Sequence, residues 1–440
     1  MSTSNALASW RPWNRSAPER YLWRQRQRAA RAARAAGVAT PPRLEILAHP
    51  ENLIRVYQRL RREAGKAPGV DGRTYDDLGP SEVAQILRTL SRSILVGRYR
   101  PHPCRRVQIP KAGGKGHRTL RIRVICDRVV AAALHGELTP VWEQIFLPGS
   151  FGFRPGRGVW DMLAMMEVIM TNQDRWVVAV DDIKNAFDNV RLDHLMDDHR
   201  RHVEDADLLN FIETVLRGHE GQRRREGIDQ GGAYSPTALN VRLHHAHDLG
   251  LAQEPTSPPW HRYADNLVYL CRDVTAGQQA LEQARQLLRP TGLTLKGQDG
   301  PPVDLRQGGT VQVLGFGIKR SRPRLELGQE ALDKLQQDLR KAHEAEDPPK
   351  TAQQALHGWI SSYGPAYESV TDDTPEQLLS LASQMGHREI SSPGEIRQRW
   401  NRSWTRWTQC RARAARPAAE PPRIPLVTAG TPSPTVEPGV

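Results

Sequence analysis

The chain has 440 residues, of which 62 are Lys or Arg and 49 are Asp or Glu, so its formal net charge is +13. This length can hold two or three domains, each with a sizeable core. No apolar run is long enough to cross a bilayer, and the polar, Arg-rich start does not match a secretion signal, so we expect a cytoplasmic protein with no membrane partner. The positive charge favours a polyanionic partner, although a generally basic surface would have the same composition.

The four cysteines are far apart along the chain and contain no CxxC pair; they are Cys104, Cys126, Cys271 and Cys410. This spacing predicts reduced thiols, not a disulfide framework or a zinc site.

Residues 1–43 form a basic extension rich in Arg, Ala and Trp. Two readings of it stay equally open: a helix that folds on RNA, or a disordered basic leader. From residue 44 to 98, apolar residues recur at helical spacing around a turn at residues 66–72.

A strand, a Gly-rich turn and a second strand follow, and Lys111 and Arg118 flank the turn. By itself this pattern is typical of a surface hairpin with solvated charges. A Lys and an Arg so placed would also suit a triphosphate clamp, because Lys supplies a point charge and Arg a bidentate fork.

The apolar, β-branched run at residues 175–180 predicts a buried strand that ends in Asp181 and Asp182. Neighbours on a strand point to opposite faces, so one carboxylate is expected only to cap the next helix. We choose Asp182 as the site residue because it shares a face with Val178 and Val180.

Residues 260–270 predict a β-hairpin with Asp265 and Asn266 at its tip. It is either a hairpin with a polar tip or a hairpin that aims a carboxylate into a metal site. Between the two acidic segments, Gln230, Gly231 and Gly232 precede a helix start. These residues are either a plain turn and cap or a place of close backbone approach to a ligand.

Residues 182–187, Asp-Ile-Lys-Asn-Ala-Phe, resemble the first catalytic motif of group II intron-type reverse transcriptases. Residues 263–266, Tyr-Ala-Asp-Asn, resemble their Tyr-Ala-Asp-Asp box, with Asn266 in place of the second Asp. The order and separation of the two motifs make the resemblance specific, and it covers residues 66–413.

The resemblance implies an α+β fold shaped as a right hand, with fingers, a palm built on an antiparallel sheet, and a helical thumb. The predicted boundaries are a basic extension at 1–43, N-terminal helices and fingers at 44–174, the palm at 175–320, the thumb at 321–413 and a disordered Pro-rich tail at 414–440.

The resemblance also implies residue roles. The catalytic residues would be Asp182, Asp265 and Asn266, and the metal ligands Asp182, Ile183 and Asp265. The deoxynucleotide site would comprise Lys111, Arg118, Phe187, Gln230 and Gly231. The implied cofactor is Mg²⁺, with Mn²⁺ as the alternative. Lys296 is the candidate acid that protonates pyrophosphate.

The function implied is an RNA-directed DNA polymerase that uses an RNA template and a DNA or RNA primer. Two alternatives stay open. One is a catalytically impaired, maturase-like RNA-binding or splicing factor, for which Asn266 is the main argument. The other is a defence or mobile-element reverse transcriptase that works with a non-coding RNA in place of a cognate intron.

Overall fold

The computed structural model describes residues 40–110, 117–297, 300–320, 324–327, 329–366, 374–388 and 390–416. Nearly all of the predicted N-terminal extension and of the Pro-rich tail lies outside these ranges. Among the described helices, none combines the length and the apolar character that a bilayer crossing needs.

Several helices begin with a proline in their first turn. Pro50, Pro80, Pro348 and Pro393 each stand in the first turn of a helix, where the missing N–H group costs no hydrogen bond. The helices are α1 Leu44–Leu47, α2 Pro50–Glu63, α3 Pro80–Leu95, α4 Ile125–Trp142, α5 Val159–Asn172, α6 Ala186–Asn189, α7 Leu192–Arg200, α8 Ala206–Arg217, α9 Ser235–Leu243, α10 Leu249–Gln253, α11 Val274–Leu288, α12 Gln329–Ala342, α13 Pro348–Tyr363, α14 Thr374–Gln384 and α15 Pro393–Ala414. One π-helical turn, His244–Asp248, joins α9 to α10.

The strands form three antiparallel sheets. The strands are β1 Arg105–Pro110, β2 His117–Ile122, β3 Val177–Asp182, β4 Trp260–Tyr263, β5 Asn266–Cys271, β6 Val303–Asp304, β7 Val311–Val313, β8 Phe316–Lys319 and β9 Arg324–Leu327. Strands β1 and β2 form a hairpin, β4-β5-β3-β6 is the central sheet, and β7-β8-β9 is a small third sheet. The predicted combination of helices with an antiparallel sheet is confirmed.

The central sheet is covered on both faces. Alternate residues of β3 point to opposite sides. Val177 and Ala179 join a core built mainly with helices α1 to α4 and α6 to α11, whereas Val178 joins a second core with α5. Helices α12 to α15 enclose a third core around Trp359 and Trp400. The acidic end of β3 is thereby held on a rigid element.

The last helix, α15, packs across α5 and connects the third core to the second. The Arg413 guanidinium lies 2.6 Å from the Asp161 carboxylate, and Arg411 pairs with Glu167. The Arg406 guanidinium stacks 5.2 Å above the Trp160 ring. The exact boundaries of fingers, palm and thumb stay a proposal.

Candidate active site

The two adjacent carboxylates at the end of β3 have different surroundings. Asp181 is 2% exposed, and its carboxylate accepts hydrogen bonds from the backbone N–H groups of Asp182 at 2.8 Å and Gly297 at 3.0 Å. Asp182 points to the opposite face and is the direct cross-strand partner of Asn266. Asp181 therefore holds neighbouring backbone in place, without capping the next helix, and Asp182 is the carboxylate that lies beside the hairpin of β4 and β5.

The second carboxylate lies on a two-residue turn between β4 and β5. Tyr263 pairs with Asn266, which leaves Ala264 and Asp265 as the turn. Ala264 has a φ of 56°, a conformation that usually favours glycine at this turn position. The sequence pattern had put Asp265 and Asn266 at the tip. The tip is one residue earlier because Asn266 already pairs with both neighbouring strands.

Backbone and electrostatic contacts bring Asp265 close to Asp182. The Ile183 N–H group donates a hydrogen bond to the Asp265 carbonyl oxygen at 2.9 Å. Burial raises the pKa of Asp265, and the Asp182 carboxylate adds to that rise, whereas Lys296 and Arg118 oppose it. Two carboxylates that are distant along the chain therefore act on each other at one edge of the sheet.

The donor set fits a divalent cation with a preference for hard oxygen ligands. The Asp182 Oδ1 atom is buried and has no hydrogen-bond partner among the described residues, which is costly for a carboxylate oxygen. Asp265 offers a second carboxylate, whereas Ile183, with its side chain fully buried, offers only its backbone carbonyl. The Lys296 ammonium contacts the other Asp182 oxygen and so neutralises part of the local charge.

The hairpin is supported from beneath by Arg262, which sequence reasoning had passed over. Its side chain is fully buried and donates to both oxygens of Asp248, at 3.0 and 2.7 Å. It also donates to the Asn240 amide oxygen at 2.7 Å, the Ser150 hydroxyl at 2.9 Å and the Ala264 carbonyl at 3.0 Å. The last contact ties the turn itself to the protein interior.

The residues predicted to bind the incoming nucleotide differ in their exposure near this edge of the sheet. Arg118 is exposed on β2, and its positive charge lowers the pKa of Asp265 by electrostatic attraction. Phe187, in α6, is half-buried and meets the exposed ring of Phe153 edge-on, with 6.4 Å between ring centroids. Lys111 lies outside the described residues, so the second half of the proposed clamp has no structural description.

Gln230 and Gly231 lie against the end of β2. The Gln230 carbonyl accepts a hydrogen bond from the Arg121 N–H group at 2.9 Å. Gly231 has a φ of 102°, which side-chain-bearing residues rarely adopt, so the turn needs glycine here.

Asp229, just before this turn, is 3% exposed. Its carboxylate forms ion pairs with two buried guanidinium groups, those of Arg224 at 2.6 Å and Arg123 at 2.8 Å.

A palm-like antiparallel sheet with two convergent carboxylates, flanked by a β-hairpin and a helical bundle, defines the class of right-hand nucleic-acid polymerases. Residues 109–298 match the family described as "Reverse transcriptase (RNA-dependent DNA polymerase)". This segment is similar to reverse transcriptases, which supports the resemblance to the group II intron type found in the motifs. It is therefore a nucleotidyltransferase by class.

Named relatives support this assignment. The chain is 29% identical to Protein YkfC of Escherichia coli (strain K12) over 305 residues, or 60% of this chain and 79% of that protein. It is 28% identical to the group II intron-encoded protein LtrA of Lactococcus lactis subsp. cremoris over 204 residues, or 45% of this chain but 33% of LtrA. The match thus spans about a third of that intron-encoded relative.

Among solved structures, the Sicinivirus 3Dpol RNA-dependent RNA polymerase superposes with a TM-score of 0.48 and 12% identity, over 78% of this chain and 73% of that one.

Proposed function

We propose that this chain extends a DNA or RNA primer with deoxynucleotides on an RNA template. The observation that supports this most is the convergence of Asp182 and Asp265, with one buried Asp182 oxygen lacking a hydrogen-bond partner in the described structure. Such a pair suits a reaction in which negative charge develops on two oxygens at once.

The residues at the sheet edge would bind the divalent cations and supply a proton to the leaving pyrophosphate. Asp182, Asp265 and the Ile183 carbonyl would hold the divalent cations, which supply charge stabilisation for the attacking 3′-oxygen and the leaving pyrophosphate. Lys296, in contact with Asp182, is the proposed proton donor to pyrophosphate. Mg²⁺ is the proposed cation, with Mn²⁺ as the alternative.

Other residues would select and orient the incoming nucleotide. The exposed Arg118 would bind the triphosphate through its planar fork, with Lys111 as the second cation. The Phe187 ring would lie beneath the sugar and exclude a 2′-hydroxyl by steric contact. Gln230 and Gly231 would line the nascent base pair, where the glycine lets the backbone approach closely.

A second candidate function rests on Asn266. An amide keeps an oxygen ligand but removes one negative charge from a site for dications, and Lys296 already neutralises part of Asp182. A catalytically impaired, maturase-like RNA-binding factor would tolerate that loss. The proposed partner in either case is RNA, either a cognate intron or a non-coding RNA, and the proposed location is the cytoplasm.

Primer extension separates the two candidates. Purified full-length protein is supplied with an RNA template, an annealed primer, deoxynucleotides and Mg²⁺ or Mn²⁺. The polymerase proposal expects extension by the wild type and a loss of about 10²–10³-fold or more in Asp182→Asn. The exposed Asp197→Asn is the matched control and should retain full activity. Extension that is equal in all three proteins would overturn the polymerase proposal, and tight RNA binding without extension would favour the maturase-like factor.

A further inference from the structure

A cluster of three chemically different side chains lies apart from the carboxylate pair. His102 belongs to the loop before β1, whereas Cys126 and Asp127 belong to the first turn of α4. One potential ligand atom from each lies within 4.8 Å of the other two. An imidazole, a thiol and a carboxylate together form a donor set typical of zinc and similar ions.

The distances within the cluster match the edges of a coordination shell. His102 Nδ1 lies 3.2 and 3.4 Å from the two Asp127 oxygens and 3.7 Å from the Cys126 sulfur. The sulfur lies 3.7 Å from Asp127 Oδ1. In a tetrahedral zinc site with ordinary bond lengths, neighbouring donor atoms are roughly 3.3–3.6 Å apart. The imidazole nitrogen faces the thiol and the carboxylate together, and its 3.2 Å contact with the carboxylate is one that a bound cation would replace.

We propose that His102 Nδ1, Cys126 Sγ and one Asp127 carboxylate oxygen bind a zinc-type divalent cation. Water would complete the tetrahedron as the fourth ligand. The thiol gives up its proton to solvent when the cation binds.

The surroundings hold Asp127 in place and leave the cluster accessible. Asp127 is fully buried, and its carboxylate accepts hydrogen bonds from the Tyr99 hydroxyl at 2.8 Å and from the backbone N–H group of His102 at 2.7 Å. A carboxylate has about four acceptor positions, so these contacts leave room for a cation while fixing the ligand's orientation. The His102 side chain is 56% exposed, which gives the ion a path from solvent.

The position of the cluster indicates a structural role for the cation. It would join the loop that leads into β1 to the start of α4. The hairpin of β1 and β2 contains Arg118, which interacts electrostatically with Asp265. The cation would therefore fix the base of this hairpin and act on stability, without taking part in nucleotide transfer.

Cobalt titration of the full-length protein tests the site directly. After treatment with a chelator, the protein is titrated with Co²⁺, and thiolate-to-cobalt absorption is recorded in the near ultraviolet. The wild type should show this band with one equivalent bound. Cys126→Ser should abolish it, whereas Cys104→Ser should retain it. The carboxylate pair at Asp182 and Asp265 has no sulfur ligand, so cobalt bound there gives no such band.

A second measurement does not depend on cysteine. Zn²⁺ should raise the Tm of the wild type by roughly 2–5 °C and should leave the Tm of His102→Ala unchanged, each compared with its own metal-free form. The proposal is overturned if no sulfur band forms, if the band persists in Cys126→Ser, or if Zn²⁺ shifts the Tm of both proteins equally.

Discussion

Asn266 is the residue at which this chain departs from the Tyr-Ala-Asp-Asp box of the reverse transcriptases that it resembles, and its position makes the departure consequential. It opens β5 directly opposite Asp182, so its side chain shares a face with that carboxylate. The amide oxygen can still coordinate a cation, but the site has one negative charge fewer to offset two dications. We therefore expect an active site with reduced affinity for the cation or a reduced rate.

Restoring the charge tests this expectation. Asn266→Asp should raise the rate of RNA-templated primer extension in Mg²⁺ by about 10-fold or more, because a carboxylate placed beside developing charge stabilises the transition state through its cations. Asn210→Asp adds the same charge to an exposed position on α8 and is the matched control. A rate that stays equal in wild type and Asn266→Asp would show that this position does not contribute to the site.

At the scale of elements, the hairpin of β4 and β5 depends on a buried ion pair beneath its turn. Burial alone would raise the pKa of Asp248, but Arg262 and His247 hold that pKa below its usual range. The pair connects the π-helical turn after α9 to β4, and the same guanidinium holds the Ala264 carbonyl of the turn. Positioning of Asp265 therefore depends on residues that do not touch the substrate.

Removing the guanidinium should have a large effect on stability. Arg262→Met leaves Asp248 buried without its cation, and the free energy of unfolding in urea should fall by about 3–5 kcal/mol. Arg285→Met removes an exposed pair with Glu282 on α11 and should cost no more than about 1 kcal/mol. If the two variants lost the same stability, the buried pair would not be what anchors the hairpin.

Local patterns in the sequence predicted the elements better than they predicted the contacts between them. The acid-terminated strand β3, the hairpin around Asp265 and the helix start after Gly232 follow from neighbours in the chain. The turn was misplaced by one residue because the pairing of Asn266 is decided by β3, which is distant in sequence. Arg262 with Asp248, and His102 with Cys126, come together only through tertiary packing, so no spacing rule finds them.

At the scale of the whole molecule, several histidines are enclosed in the packed interior behind the sheet. Burial lowers the pKa of His199 to about 4, of His244 to about 4 and of His261 to about 3. The His199 ring contacts the Leu195 carbonyl at 2.7 Å and the Tyr234 hydroxyl at 2.8 Å. These rings are neutral in the folded protein, whereas in the unfolded chain they take up a proton near their ordinary pKa.

Acid should therefore destabilise the fold. Because the folded-state pKa values lie below the unfolded one, stability is fully present above about pH 6.5 and is lost as the pH falls toward 4. For His199 alone the loss at pH 4 is on the order of 3 kcal/mol. Urea unfolding at pH 7 and pH 4 measures this loss. His199→Gln should show a shallower pH dependence and the exposed His219→Gln an unchanged one; equal pH dependence in all three proteins would contradict the assignment.

Asp182 and Asp265 are proposed to serve one shared set of cations, and a double-mutant cycle measures whether they do. Single-turnover RNA-templated extension is measured for the wild type, Asp182→Asn, Asp265→Asn and the double variant. We predict that each single change lowers the rate by about 10²–10³-fold and that the double change lowers it little further, because either change disables the same site. Independent, multiplicative losses, or single variants as active as the wild type, would contradict the account.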